Sequence, residues 1–426
     1  MPVYFDHAAT TPMRPEARAA YVDALGLVGN PSSIHSQGQE AKRLLEESRE
    51  VVASSLGAEP IEVIFTSGGT ESINLGVKGL YWARQAPDAA RPVILAPGGE
   101  HHATVDAIEW LVRHEGASVV WLPVDSVGRL APAVLEAALA EHGASVALVT
   151  VLWGNNEVGT LQPVSSLVSV ARAHGVPVHI DAVAAYGYVP LDFAAVGADA
   201  LSVSAHKIGG PVGIGALVLA RRSQVEPLIH GGNQQRVRSG TQDVAGAVAF
   251  AAAAAAVMRE LGPGGAATRE LAPGGASTRE LAAGGDAVAL SYPAHLAELR
   301  DRLIAGVRAA VPGAVLRGDA TSEGRLPGNV HFTFPGAQGD SLLFLLDMAG
   351  FSVSTGSACQ AGVPEVSHVL TAMGIPDDEA LGALRFTLGH GTTAAEIDAL
   401  VAALPAAYAS AARAGLATRD VSAPTH

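Results

Sequence analysis

The chain has 426 residues, 49% hydrophobic and 16% charged, with 41 acidic against 27 basic side chains and a formal charge of −14. That composition supports a large buried core and excludes disorder over most of the length. The acidic balance gives no support to a nucleic-acid backbone or an anionic membrane as partner. A single cysteine, Cys359, excludes an internal disulfide framework and a multi-cysteine metal site within one chain, which fits a reducing cytoplasm. Only Lys42, Lys78 and Lys207 among the basic residues are lysines.

The N-terminus, MPVYFDHAATTP, lacks the basic-then-apolar pattern of a signal peptide. From about 36 to 260, short apolar strands alternate with amphipathic helical patterns. Strands are predicted at 62–67, 92–97, 118–123, 145–151, 176–181, 200–205 and 213–220, and helices at 38–56, 71–84, 103–115, 131–141 and 164–174. The alternation predicts a mainly parallel sheet with helices on both faces and ligand-binding residues at the carboxyl ends of its strands. The uncharged run from Val244 to Met258 is too short and too alanine-rich to span a bilayer, and reads as a packed helix. Three near-copies of one unit follow, RELGPGGAAT, RELAPGGAST and RELAAGGDAV, in an insertion assigned to 259–285. They hold too much Pro and Gly for a continuous helix and read as a surface loop. A helix at 292–311, strands near 314–317, 328–334 and 384–388, and a closing helix at 394–411 predict a smaller α/β unit. The expected organisation is a large domain over 16–258, the insertion, a small domain from 1–15 and 286–412, and a disordered tail over 413–426.

Several strand ends carry residues suited to chemistry. In TSGGTES (66–72) a strand runs through Gly68, Gly69 and Thr70 into a helix, so that amides and the helix N-terminus can face an anion. The spacing of a nucleotide P-loop is absent, and a GGT turn alone is more often just a tight turn. GEHHATV (99–105) offers His101 as a stacking ring or proton carrier, or as a solvated histidine; without a third ligand it makes a poor metal site. WGNNEVGT (153–160) offers Asn156. In VHIDAVAAYG (178–187), Asp181 ends an apolar strand, either as a helix N-cap or as counter-charge to a cation such as a protonated pyridine. SVSAHKIGGPVGIG (202–215) sets Lys207 at a strand end, where partial burial lowers an amine's pKa and favours Schiff-base chemistry. Cys359 sits among small residues in FSVSTGSACQAGVPE (351–365), placed as an accessible nucleophile. In LRFTLGHGT (384–392), Arg385 suits a substrate carboxylate or a structural ion pair.

Taken in order, YFDHAATTP (4–12), GNPSSIHSQG (29–38), FTSGGTES, EHHA, NNEVGT, HIDA, SAHKIGGPVGIGA, RVRSGT (236–241), STGSACQ and LRFTLG resemble the cysteine desulfurases of NifS/IscS type. These are class V, fold-type I enzymes that use pyridoxal 5'-phosphate. The resemblance covers nearly the whole chain outside the insertion and the last dozen residues. It implies an α/β, fold-type I transferase: a large domain with a mainly parallel seven-stranded sheet and a smaller α/β domain carrying the cysteine loop.

The resemblance also implies roles. Lys207 would hold pyridoxal phosphate as a Schiff base and move the substrate α-proton, Asp181 would keep the pyridine nitrogen protonated, and His101 would stack on the ring. Asn156 would contact ring and substrate. Thr70, Ser204 and His206, with amides near Gly69, would bind the phosphate, and Thr241 would reach the phosphate of the partner subunit in a homodimer. Arg385 would hold the carboxylate of L-cysteine. Cys359 would take the sulfur as a persulfide, leaving L-alanine, and deliver it to a sulfur-acceptor protein for iron–sulfur cluster assembly or thiolation. The alternatives are a related class V enzyme (a selenocysteine lyase or C–S lyase) and a cofactor-binding scaffold with little turnover. The chain departs from the family pattern at Ala184, where a glutamine is usual, and at Gly209, Val212, Gln235 and His390.

Overall fold

The computed structural model describes residues 2–85, 90–262, 291–356 and 366–421, so Cys359 and most of the three-copy insertion lie outside the described residues. Seven strands form the main sheet: β1 (Val63–Thr66), β2 (Val93–Pro97), β3 (Ser118–Leu122), β4 (Val146–Leu152), β5 (Val178–Asp181), β6 (Ala200–Ser204) and β7 (Gly215–Leu219). Their spatial order is β1-β7-β6-β5-β4-β2-β3. β2 to β6 run parallel, while β7 is antiparallel to both β1 and β6. Every residue of β4, β5 and β6 is buried, as strands covered by helices on both faces must be. The predicted strands are all present, with small shifts at their ends.

The alanine-rich helix Val244–Leu261 packs on helices Pro15–Leu25 and Ser36–Ser55. It is long and apolar enough to cross a membrane by length and composition, yet half of it is buried inside the protein, as a packed core helix requires. It continues past Met258, so Arg259, Glu260 and Leu261 of the first repeat copy are helical rather than loop. No Pro or Gly interrupts these residues, and Glu260 is tied down by Arg14 at 2.6 Å and by His390 at 3.3 Å. The His390 ring also stacks on Tyr292 at 4.1 Å, which anchors the chain on both sides of the insertion at one place.

A second hydrophobic core gathers around an antiparallel three-stranded sheet with Asn329–Thr333 in its centre, flanked by Val315–Leu316 and Ala383–Thr387. Helices Tyr292–Ala310 and Ala394–Val421 cover it. The N-terminal strand Val3–Tyr4 pairs with Phe351–Ser352, which ties the start of the chain to this core. The closing helix runs to Val421, so the tail expected to be disordered from 413 is helical up to that residue. Its last turns are rich in alanine, leucine and arginine, all strong helix formers.

Candidate active site

Loops at the carboxyl ends of the parallel strands surround a cavity of about 400 Å³. Gly69, Thr70, His101, Asn156, Asp181, Ser204, His206, Lys207 and Arg385 all line it, so residues from well-separated motifs meet in one place. Thr241 is exposed and does not line the cavity. Cys359 lies outside the described residues.

Lys207 stands in the short turn Ala205–Ile208 that follows β6. Its Nζ donates to the carbonyl of Ala9 at 2.9 Å and to that of Ala8. Burial lowers its pKa to about 8, Arg385 adds to the effect, and Asp181 and Asp6 oppose it. Near neutral pH a useful fraction of the amine is therefore uncharged, as a nucleophilic amine must be.

Asp181 closes β5 and is buried, and its Oδ1 accepts a 2.9 Å hydrogen bond from the Val183 N–H. No helix begins at this point, so the helix-cap reading of Asp181 falls away. Burial raises its pKa to about 6, against the pull of the Val183 N–H and of Lys207. A cation brought into the cavity would restore its charge.

His101 caps the helix His102–Glu115, accepting from the Ala103 N–H at 3.0 Å through Nδ1, which leaves the proton on Nε2. His101 lines the cavity and remains partly exposed. Burial, then the charge of Lys207, depress its pKa to about 4, so it is neutral in use. His206 is likewise lowered to about 4 by burial first and Lys207 second, and its Nδ1 lies 3.2 Å from Thr10 Oγ1.

The phosphate end is equally defined. Ser204 Oγ is buried and has no partner among the described residues. A Cβ on Gly69 would come within 2.9 Å of Val183 Cγ2 and 3.4 Å of Ser204 Cβ, so only glycine lets the start of helix Gly69–Ala83 approach this hydroxyl. An orphan hydroxyl beside a helix N-terminus suits a phosphate. Together with an amine for a carbonyl and a buried carboxylate for a pyridinium, this donor set fits pyridoxal phosphate.

Arg385 uses Nη2 on Asp6 Oδ1 at 2.8 Å and Nη1 on the Asn156 carbonyl at 2.9 Å, while Nε is buried without a partner among the described residues. The structural ion pair is thus present, and a donor remains for a carboxylate ligand. Ala184 lines the main cavity and an adjoining hollow of about 30 Å³ that also touches Asn329.

Glu100, Glu157 and His368 also line the cavity, and no sequence signal singled them out. Glu100 bonds the Leu152 N–H at 2.8 Å through Oε1, and its Oε2 is buried without a partner among the described residues. Burial pushes its pKa up to about 8 despite that hydrogen bond, and the neighbouring Asp181 adds to the rise. His368 bonds the Glu100 carbonyl at 2.7 Å and lies with its ring 4.7 Å from that of His102. Glu157 is buried and accepts a 2.5 Å hydrogen bond from Ser367 Oγ. Glu100 and Glu157 adjoin His101 and Asn156 in sequence, where a carboxylate at a strand end reads as solvated loop.

The aminotransferase class-V family model matches residues 3–271. The chain is 48% identical to an IscS-like cysteine desulfurase of Mycobacterium tuberculosis, over 98% of this chain and 99% of that protein. Among solved structures it is similar to a NifS-like protein, with a TM-score of 0.80 and 31% identity, over 95% of this chain and 99% of that one. It is also similar to SspA in complex with cysteine, with a TM-score of 0.71 and 28% identity, over 91% and 98% of the two chains.

Proposed function

Since the chain belongs to the class V aminotransferase family and, within it, to the cysteine desulfurases, we infer that the cavity around Lys207 and Asp181 is the site where L-cysteine loses its sulfur. The observation that carries this reading is a half-buried amine of lowered pKa lining one cavity with a buried carboxylate at adjacent strand ends. Enzymes of this family depend on pyridoxal phosphate, which when bound supplies an electron-withdrawing ring that acidifies the substrate Cα and activates its sulfur toward attack. Lys207 Nζ anchors it and then carries the proton at the substrate Cα. Asp181 holds the pyridine nitrogen, and the neutral His101 ring packs beside it, with Nε2–H available for proton transfer. Asn156 faces ring and substrate. Ser204 Oγ, Thr70, His206 and the amides near Gly69 take the phosphate.

Arg385 binds the substrate carboxylate, using the donor that lacks a protein partner. The Cys359 thiolate attacks the substrate sulfur. The C–S bond breaks, the sulfur stays on Cys359 as a persulfide, and the carbon skeleton leaves as alanine once protonated. The persulfide then goes to an acceptor protein serving iron–sulfur cluster assembly or thiolation, in a reducing compartment such as the cytoplasm. Residues 16–258 act as the cofactor-binding unit, and 1–15 with 286–412 as the unit that bears Cys359. Thr241, exposed and away from this chain's own cavity, serves the partner's phosphate in a homodimer.

The test supplies purified enzyme with L-cysteine and measures alanine and enzyme-bound persulfide for the wild type and Cys359→Ser. Alanine and persulfide should form in the wild type alone. Equal alanine from both proteins would refute the persulfide role.

A further inference from the structure

A second cavity, of about 420 Å³, opens at the amino-terminal end of β5, the end opposite Asp181. Arg84, Arg172 and Arg222 converge on it, with Asp199, Ser223 and Gln224 completing the polar lining. Such a concentration of guanidinium groups is notable in a chain with a formal charge of −14.

Each arginine engages the protein through Nη2 alone among the described residues. Arg84 Nη2 reaches the Gly175 carbonyl at 3.3 Å, and Arg172 Nη2 donates to the Gly197 carbonyl. Arg222 Nη2 donates to the Gly197 and Ala198 carbonyls at 2.7 and 2.8 Å. Gly197 has φ +71°, a backbone conformation that favours glycine, and the Arg172 guanidinium packs against this turn. The Nε and Nη1 donors of all three residues remain free of protein partners among the described residues, and Arg84 Nε is buried as well.

The one acid of the pocket is already committed. Asp199 accepts from the Val178 N–H at 2.9 Å and from Ser223 Oγ at 2.7 Å, and it lies 3.3 Å from Arg222. Three guanidinium groups thus face one carboxylate. Burial and the nearby Arg91 make the Arg84 cation less favourable than in water, so a counter-anion would stabilise the site. The surplus of two positive charges balances the charge of about −1.5 to −2 that a phosphomonoester carries near neutral pH. Guanidinium forks match phosphate oxygens in geometry as well as charge. The hollow is large enough for the organic part of such a ligand.

We propose that this pocket binds a small phosphomonoester, at a site separate from the one that performs desulfuration. The proposal does not depend on the catalytic reading, since its test reads binding rather than turnover.

Holoenzyme, with its cofactor site already filled, is titrated with glycerol 3-phosphate by calorimetry, alongside the Arg172→Ala/Arg222→Ala double variant and the single Arg222→Gln variant. Malonate serves as a dicarboxylate control. One ligand per chain should bind the wild type, with affinity falling about tenfold for each arginine removed and malonate binding more weakly. Visible absorbance and alanine formation should be unchanged in the variants. If the double variant fails to fold, the single variant should still show its tenfold loss. No binding to the wild type, equal affinity in wild type and variants, or malonate binding as tightly as the phosphate would each overturn the proposal.

Discussion

Ser367 Oγ donates a 2.5 Å hydrogen bond to Glu157 Oε2, and that same oxygen lies where a Cβ on Gly356 would meet it at 3.4 Å. One buried carboxylate is therefore hydrogen-bonded to Ser367 and lies close to the Gly356 backbone, near the described residues on both sides of 357–365, the stretch that contains Cys359. Leaving a buried hydrogen-bond partner unsatisfied costs about 1–3 kcal/mol, or roughly 5- to 100-fold in a rate that depends on it. Glu157→Ala should slow single-turnover persulfide formation by at least about fivefold while the cofactor absorbance stays intact. Persulfide forming at the wild-type rate would show that this clamp does not position the thiol.

Lys207 sits between two opposing influences, burial with Arg385 on one side and Asp181 with Asp6 on the other. Its lowered pKa of about 8 means that the neutral amine grows as pH rises through that value. Capture of pyridoxal phosphate by apoenzyme should therefore accelerate up to about pH 8 and level off above it, as followed by visible absorbance. Lys207→Ala should abolish the absorbance. Asp181→Asn should keep the covalent link but shift the band, because an amide cannot hold a protonated pyridine. A visible band that survives in Lys207→Ala would place the anchor elsewhere.

Arg385 already forms two protein hydrogen bonds, so a substrate carboxylate must be recognised by the remaining Nε together with a guanidinium edge. Lysine keeps the charge but not the fork. Arg385→Lys should raise KM for L-cysteine by roughly 10- to 100-fold, the cost of a charge-assisted hydrogen bond, with a smaller change in kcat. A loss confined to kcat would argue for a purely structural role with Asp6.

His179 is fully buried between β4 and β6, with Thr150 Oγ1 2.9 Å from Nδ1 and Ser202 Oγ 2.8 Å from Nε2. Burial lowers its pKa from 6.5 to about 3. The unfolded chain binds this proton more readily, so the stability held above the unfolded value is lost as pH falls toward 3. One such group contributes a slope of up to about 1.4 kcal/mol per pH unit in that window. His331, also buried and lowered to about 3, adds in the same direction. Denaturant titrations between pH 4 and 7 should show stability rising with pH, and His179→Asn should flatten the slope. An unchanged slope would remove His179 as a source.

Ala184 faces the main cavity where the family usually has glutamine, and the hollow beside it offers room for a longer side chain. Ala184→Gln should fold and should shift the cofactor absorbance by adding an amide beside the ring. An identical spectrum would mean that the amide does not reach the cofactor.

The layered fold was legible from residue order, because strands buried on both faces must read as apolar runs and their helices must show one apolar stripe. It also singled out Lys207, Asp181 and His101 at or just past the ends of apolar strands and Arg385 within one, since an ionisable residue in such a setting is conspicuous in one dimension. Which side chains share the cavity emerges only from the packed chain. Glu100 and Glu157 look like loop carboxylates until β4 and Ser367 close over them, and His368 becomes a neighbour of His102 only when the helix His368–Ala372 packs beside Val158. Burial and pairing are properties of residues far apart in the chain, so no local pattern encodes them. The same holds for Arg84, Arg172 and Arg222, three unremarkable basic residues in sequence that the amino-terminal end of β5 draws into one pocket.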